Sequence, residues 1–104
     1  MAKVILQPEE EISRIRMPRS PEVLGVVESM LGGDRLRVKC DDGNTRICRI
    51  PGRLRKKVWI RTGDLVLIEP WGAQSNERGD VGFRYTATQA NWLRRKGFVK
   101  LTIE

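Results

Sequence analysis

A small all-β barrel followed by one C-terminal helix is the fold class this sequence predicts, on three observations. Apolar and polar residues alternate with period two along short runs, Gly, Pro and Asp clusters punctuate those runs, and one capped helical pattern closes the chain. Five or six strands with turns this closely spaced favour closure, because a barrel removes the edges that would otherwise aggregate.

The elements follow in order. Met1 to Pro21 reads as a flexible charged tail, with Glu9, Glu10 and Glu11 ahead of Arg14, Arg16 and Arg19 and too few apolar residues to offset the entropy of ordering it. Val23 to Met30 is the first strand, and Gly32-Gly33-Asp34 is a turn in which glycine makes positive φ cheap. Arg35 to Cys40 is the second strand, Asp41 to Asn44 a turn, and Thr45 to Ile50 the third strand, stopped by Pro51 and Gly52. Arg53 to Lys57 is a helical turn or a tight basic loop, Val58 to Ile60 a short strand, and Thr62-Gly63-Asp64 a turn. Leu65 to Glu69 is a core strand closed by Pro70, Gly72 to Gly79 an exposed polar loop, and Val81 to Tyr85 the last strand. In the helix, Thr86 and Gln89 form a capping box, Trp92 and Leu93 supply an apolar face, and Arg94, Arg95 and Lys96 complement the C-terminal dipole before Gly97. The organisation is thus a tail over 1–21, a barrel over 22–85, and a helix with a short extension packed on the barrel over 86–104.

Charge points to a partner. The chain has 104 residues, net charge +7 and a pI near 10.1. Ten of its twenty Lys and Arg lie between Arg35 and Arg61, opposed only by Asp41 and Asp42; that segment carries +8 and the remainder −1. The charge is a local patch that focuses field toward a polyanion, and nucleic acid is the leading candidate. In Arg35-Leu36-Arg37-Val38-Lys39-Cys40 the alternation buries Leu36, Val38 and Cys40 and presents Arg35, Arg37 and Lys39 to solvent. An ordinary solvated face would look similar, but the run continues through Arg46, Arg49, Arg53, Arg55, Lys56 and Lys57 with Trp59 alongside. A membrane partner is disfavoured, since there is no long apolar run and the basic residues fall on strands. Met1 to Glu11 lacks the features of a signal peptide, so a cytoplasmic location is expected.

Catalysis and metal binding find little support. The chain has no His and two Cys, which offers hardly any zinc ligands. If Cys40 opposes Thr45 across the Asp41–Asn44 turn, Cys48 falls opposite Arg37, too far in register for a disulfide, and both Cys read as small apolar residues. Asp41 and Asp42 are adjacent on a turn and Asp64 follows Gly63, so no acid/base pair sits in the basic patch. A single small domain also argues against a deep cleft. No enzyme activity, cofactor or metal is expected.

The run from Gly43 to Asp64, with Ile50-Pro51-Gly52-Arg53 at its centre and Gly63-Asp64 at its end, resembles archaeal and eukaryotic translation initiation factor 1A, the relative of bacterial initiation factor one. Further matches are Leu24 to Gly32 before it, Leu65 to Trp71 after it, and Arg84-Tyr85-Thr86-Ala87-Thr88-Gln89. The resemblance spans about residues 14–101. It implies a five-stranded OB-fold barrel with a short 3₁₀ turn and a C-terminal helix, acting as a monomer. It implies binding of the small ribosomal subunit at the decoding (A) site, which blocks elongator tRNA there and assists initiator tRNA placement and start-codon selection on mRNA. Carried onto this chain, the RNA-binding positions are Arg35, Arg37, Lys39, Arg46, Arg53, Arg55, Lys56, Lys57, Trp59 and Arg61. Eukaryotic members carry long charged tails; without the acidic C-terminal one, the archaeal branch is favoured and the subunit-joining GTPase is the less secured of the implied partners.

By residue chemistry, Arg35, Arg37, Lys39 and Arg55 to Lys57 suit phosphates, each neutralised phosphate adding salt-dependent affinity. Arg46 and Arg53 suit bidentate hydrogen bonds or stacking on unpaired bases. Two readings stay open for Trp59, a base-stacking platform or a core residue between Val58 and Ile60. Trp71, beside Pro70, reads as a packing residue. The alternative function is a general single-stranded RNA binder or chaperone of the cold-shock kind; it would want more exposed aromatics than a chain with six aromatics, most of them in apolar contexts, supplies.

Overall fold

The computed structural model describes residues 7–99. Helix α1 (Pro8–Ser13) precedes β1 (Val23–Gly32), β2 (Arg35–Cys40) and β3 (Thr45–Arg49). The one-turn helix α2 (Gly52–Arg55), β4 (Leu65–Pro70), β5 (Arg78–Arg84) and α3 (Ala87–Arg95) complete the order. The strands close into a barrel in the order β1-β2-β3-β5-β4, with β3 and β5 parallel and every other pairing antiparallel. This is the predicted five-stranded OB barrel, with α2 an α-helical turn where a 3₁₀ turn was expected.

β1 makes closure feasible. It pairs with β4 through Val23 to Val26 and with β2 from Gly25 to Gly32, and bulges at Val27/Ser29 and Met30/Gly32 bend it between the two tasks. Gly25 pairs with both partners, and β2 leaves no room for a side chain there: a Cβ would stand 2.5 Å from Val38 Cγ1. β4 is apolar from Leu65 to Ile68 because both faces of that stretch are buried. Val66 and Ile68 enter the barrel core with Val27, Leu36 and Val38, while Leu65 and Leu67 face a second core with Leu24, Tyr85 and Leu93 under α3.

The predicted capping box is present at the start of α3: Thr86 Oγ1 accepts from Gln89 N at 3.2 Å, and Gln89 Oε1 accepts from Thr86 N at 3.0 Å. The helix ends in a Schellman turn, with Gly97 at φ 79°, Gly97 N bonded to Arg94 O and Phe98 N to Leu93 O. Phe98 stacks on Trp92 at 5.9 Å between ring centroids.

Three expectations need correction. Val58 to Ile60 is not a strand: the five-stranded barrel is closed and offers no free edge, and Val58 N instead bonds back to Leu54 O at 3.0 Å. β5 starts at Arg78 instead of Val81, because Ile47, Cys48 and Arg49 provide parallel partners for Arg78, Gly79 and Asp80. The sequence places no element before Val23, whereas α1 forms there with Pro8 in its first turn and Glu9, Glu10 and Glu11 toward its positive end. The helix and the chain just after it are anchored from 78 and 69 residues away: Gln89 Nε2 donates to Glu11 O at 2.8 Å, and Tyr85 Oη donates to Arg16 O.

The Asp41–Asn44 turn is one residue tighter than expected. Cys40 O accepts from Gly43 N, Gly43 takes φ 91°, and Cys40 N bonds to Asn44 O, so Lys39 pairs with Thr45 and Leu36, not Arg37, pairs with Cys48. Both cysteines are free and buried in the barrel core, and burial pushes the Cys48 thiol up to about 12.

Candidate nucleic-acid interface

The outer face of β2 presents Arg35, Arg37 and Lys39 to solvent while Leu36, Val38 and Cys40 are fully buried. Across the ladder, Arg35 opposes Arg49, Arg37 opposes Ile47 and Lys39 opposes Thr45. Two guanidinium groups face to face would repel. Asp80 relieves this by accepting from Arg49 Nη2 at 3.1 Å.

The basic segment after β3 is held by its apolar positions. Ile50 N donates to Asp34 O at 2.7 Å, and Ile50, Leu54, Val58 and Ile60 pack on the barrel core. One turn of helix followed by extended chain leaves Arg53, Arg55, Lys56, Lys57, Trp59 and Arg61 pointing outward. Trp59 is 79% exposed because it sits between the inward-facing Val58 and Ile60 in an extended stretch, so the core reading of this residue is discarded. Arg84 Nη1 donates to Trp59 O at 3.1 Å and fixes that backbone to the end of β5.

Most of these cations are not neutralised internally. Arg53 approaches Glu69 at 3.9 Å and Arg55 approaches Asp34 at 3.7 Å, long contacts between half-exposed side chains that add little stability and yield readily to a phosphate. Among the described residues, Arg35, Lys39, Lys56, Lys57 and Arg61 have no carboxylate within ion-pair distance.

Arg46 is the correction within the predicted set. With Lys39 opposite Thr45, Arg46 opposes Val38 on the inward face and is 2% exposed. The expected register would have put it outside, and a one-residue slip turns every side chain to the other face. Its Nη1 and Nη2 donate to Asp42 at 3.0 and 2.8 Å, and its Nε donates to Ser75 O at 2.6 Å. Arg46 therefore ties the β2–β3 turn to the loop before β5, and its burial keeps the guanidinium off the RNA-facing surface. The signal was present in the sequence: Cys48 and Ile50 share its parity.

The Arg46 guanidinium holds the Asp42 carboxyl down from 3.8 to about 2. A carboxyl with a depressed folded value stabilises the fold above its unfolded value near 4, and that contribution is lost as pH falls toward 2. We expect the wild-type denaturation midpoint to drop over that window more than that of Asp42→Asn, measured by urea titration at successive pH values. Equal acid sensitivity of the two would show that the pair does not set it.

Trp71, Arg78 and Asp80 join this surface without having been among the predicted site residues, and Arg49 was expected only as part of the basic run. The alternation of Thr45, Ile47 and Arg49 points Arg49 outward; Arg78 and Asp80 become its neighbours through the β3–β5 pairing, and Trp71 through its bonds to those two residues. Among the described residues no metal-binding cluster is present, and no helix is long and apolar enough to cross a membrane.

Comparison with known proteins bears on this surface. A family model described as Translation initiation factor 1A / IF-1 matches residues 12–104. Translation initiation factor 1A of Methanothermobacter thermautotrophicus is 51% identical over 92 residues, covering 88% of this chain and 93% of the relative. That of Methanopyrus kandleri is 56% identical over 89 residues, covering 86% and 79%. The solution structure of translation initiation factor IF-1 from the Wolbachia endosymbiont of Brugia malayi superposes with a TM-score of 0.51 at 32% identity, over 66% of this chain and 82% of that one.

Proposed function

Because the chain belongs to the translation initiation factor 1A / IF-1 family, with archaeal relatives at about half identity, we propose that it binds the small ribosomal subunit at the decoding (A) site. In this reading it occupies that site in the cytoplasm, excludes elongator tRNA, and assists initiator tRNA placement and start-codon selection on mRNA. The subunit-joining GTPase is a further partner. The barrel over 22–85 is the binding unit, with the helical end as its buttress.

The observation that carries the reading is the continuity of unneutralised cations from the outer face of β2 onto the segment after α2, on a frame whose apolar side chains are turned inward. Arg35, Arg37, Lys39, Arg55, Lys56, Lys57 and Arg61 contact phosphates, Arg53 forms a fork to phosphate or base, and Trp59 stacks on an unpaired base. Co-sedimentation with isolated small subunits at low and moderate salt, with base-level footprinting of the rRNA, tests it. Protection of decoding-site adenines is expected; saturable binding elsewhere, or none that survives moderate salt, would leave an OB domain with another RNA partner. Short homopolymers should bind far more weakly than subunits, whereas tight homopolymer binding would favour the cold-shock type of activity.

Trp59 separates stacking from charge. Trp59→Ala removes no cation and no core contact, so stability should stay unchanged while subunit affinity falls by about 1–3 kcal/mol, with an unaltered salt slope. Unchanged affinity would show that the exposed indole meets no base.

A further inference from the structure

We propose that the outer face where β3 meets β5 carries a second, preformed RNA contact: a site for one unstacked nucleotide, its base against Trp71 and its phosphate held by Arg35 and Arg78. The proposal deepens the ribosomal reading and rests on it.

A shallow depression here is lined by Arg35, Ile47, Cys48, Arg49, Trp71 and Arg78. Two registers assemble it: β2–β3 pairing sets Arg35 beside Arg49, and parallel β3–β5 pairing sets Arg78 beside Ile47. Trp71 is fixed at both ends. Its backbone N donates to Arg78 O at 3.1 Å, and its Nε1 donates to Asp80 Oδ1 at 2.9 Å. The second oxygen of Asp80 holds Arg49, whose guanidinium carbon lies 6.0 Å from the indole centroid. The hydrogen-bonding needs of the indole are thus met inside the protein, and what it offers a ligand is its ring, 39% exposed.

Three arginines surround this ring against one carboxylate, and that carboxylate is already committed to Arg49 and Trp71. The surplus selects an anion, and the planar ring beside half-buried Ile47 selects a flat, weakly polar group. A nucleotide carries both. An acidic peptide would satisfy the arginines without covering the indole, and a paired base cannot present its face. An unpaired nucleotide remains. The brace through Asp80 and the Ser75 anchor on Arg46 hold the rim in place before binding, which lowers the ordering cost.

The test uses the full chain and small ribosomal subunits, each variant first shown to be folded by thermal unfolding. Trp71→Ala should lower affinity about 5- to 50-fold, and in base-level probing should abolish the change at one unpaired nucleotide while the protections that depend on Arg53, Lys56 and Lys57 persist. Trp71→Phe keeps a ring but not the bond to Asp80, and should stay within about threefold of wild type. Short-wave ultraviolet cross-linking of the wild type, mapped by mass spectrometry, should place an rRNA adduct within residues 62–78, and this arm stands even if an alanine variant fails to fold. Wild-type affinity and footprint in Trp71→Ala would overturn the proposal with the ribosomal reading intact, as would a Phe variant as weak as Ala, since the brace and not the ring would then matter. Failure of the wild type to bind subunits at all would overturn both.

Discussion

Replacing Arg53, Lys56 and Lys57 together with alanine will weaken binding to the small ribosomal subunit more than tenfold and leave the fold intact. The side chains lie on the solvent side of a segment anchored by Ile50, Leu54, Val58 and Ile60, so their removal opens no cavity. Arg53 has a single long contact to Glu69, and neither lysine has an ion-pair partner among the described residues. Each of the three cations, seated on a phosphate, contributes affinity by releasing a counterion to solvent. Without them the slope of log affinity against log salt should fall by about 2–3, and the deficit should shrink as salt rises. Affinity titrations at several salt concentrations, with a urea midpoint for each protein, measure both effects. A variant with wild-type affinity removes this segment from the mechanism; one with a lowered urea midpoint shows that the cations also serve the fold.

Arg46→Ala is expected to do the reverse. It removes the buried guanidinium, leaving Ser75 O without its side-chain donor and Asp42 with those of Asn44 alone, and should destabilise the protein by about 2–3 kcal/mol. Full burial of both partners would cost more, but Asp42 keeps a side that water can reach. Arg46→Lys should recover little of the stability, because one ammonium cannot replace a planar fork bonded to two carboxylate oxygens and a carbonyl. Subunit affinity, measured well below the unfolding transition, should fall less than in the triple alanine variant. If Arg46→Ala abolished binding without changing the urea midpoint, Arg46 would be an RNA ligand and its buried position would not represent the working state.

The pair of variants also marks how far local sequence carries. Two adjacent stretches of one basic run, β3 and the segment after it, look alike in composition yet differ in role, because Arg46 shares its parity with Cys48 and Ile50 whereas Arg53, Lys56 and Lys57 are interspersed with inward-facing Leu54 and Val58. The expected loop of four residues misplaces the β2–β3 register by one. Gly43, in the left-handed region, shortens that loop to three and turns Arg46 inward. The exposure of Trp59 is likewise undecided in the sequence, since Val58-Trp59-Ile60 reads equally well as a strand or as an extended stretch with its middle residue outside.

What the sequence determined by itself is local or carried by a long ordered motif. The parity of Arg35 to Cys40, the cap at Thr86, the stop at Gly97, the basic patch and the family signature from Ile50 to Asp64 all depend on residues near one another in the chain. Tertiary structure alone decided the parallel pairing of β3 with β5, the joining of Trp71, Asp80 and Arg49, the Asp42 and Ser75 partners of Arg46, and the tethering of α1 and of Arg16 after it by Gln89 and Tyr85. The physical reason is that period and propensity are properties of one segment, whereas register and neighbourhood are properties of two, set only when closure of the barrel brings distant segments together.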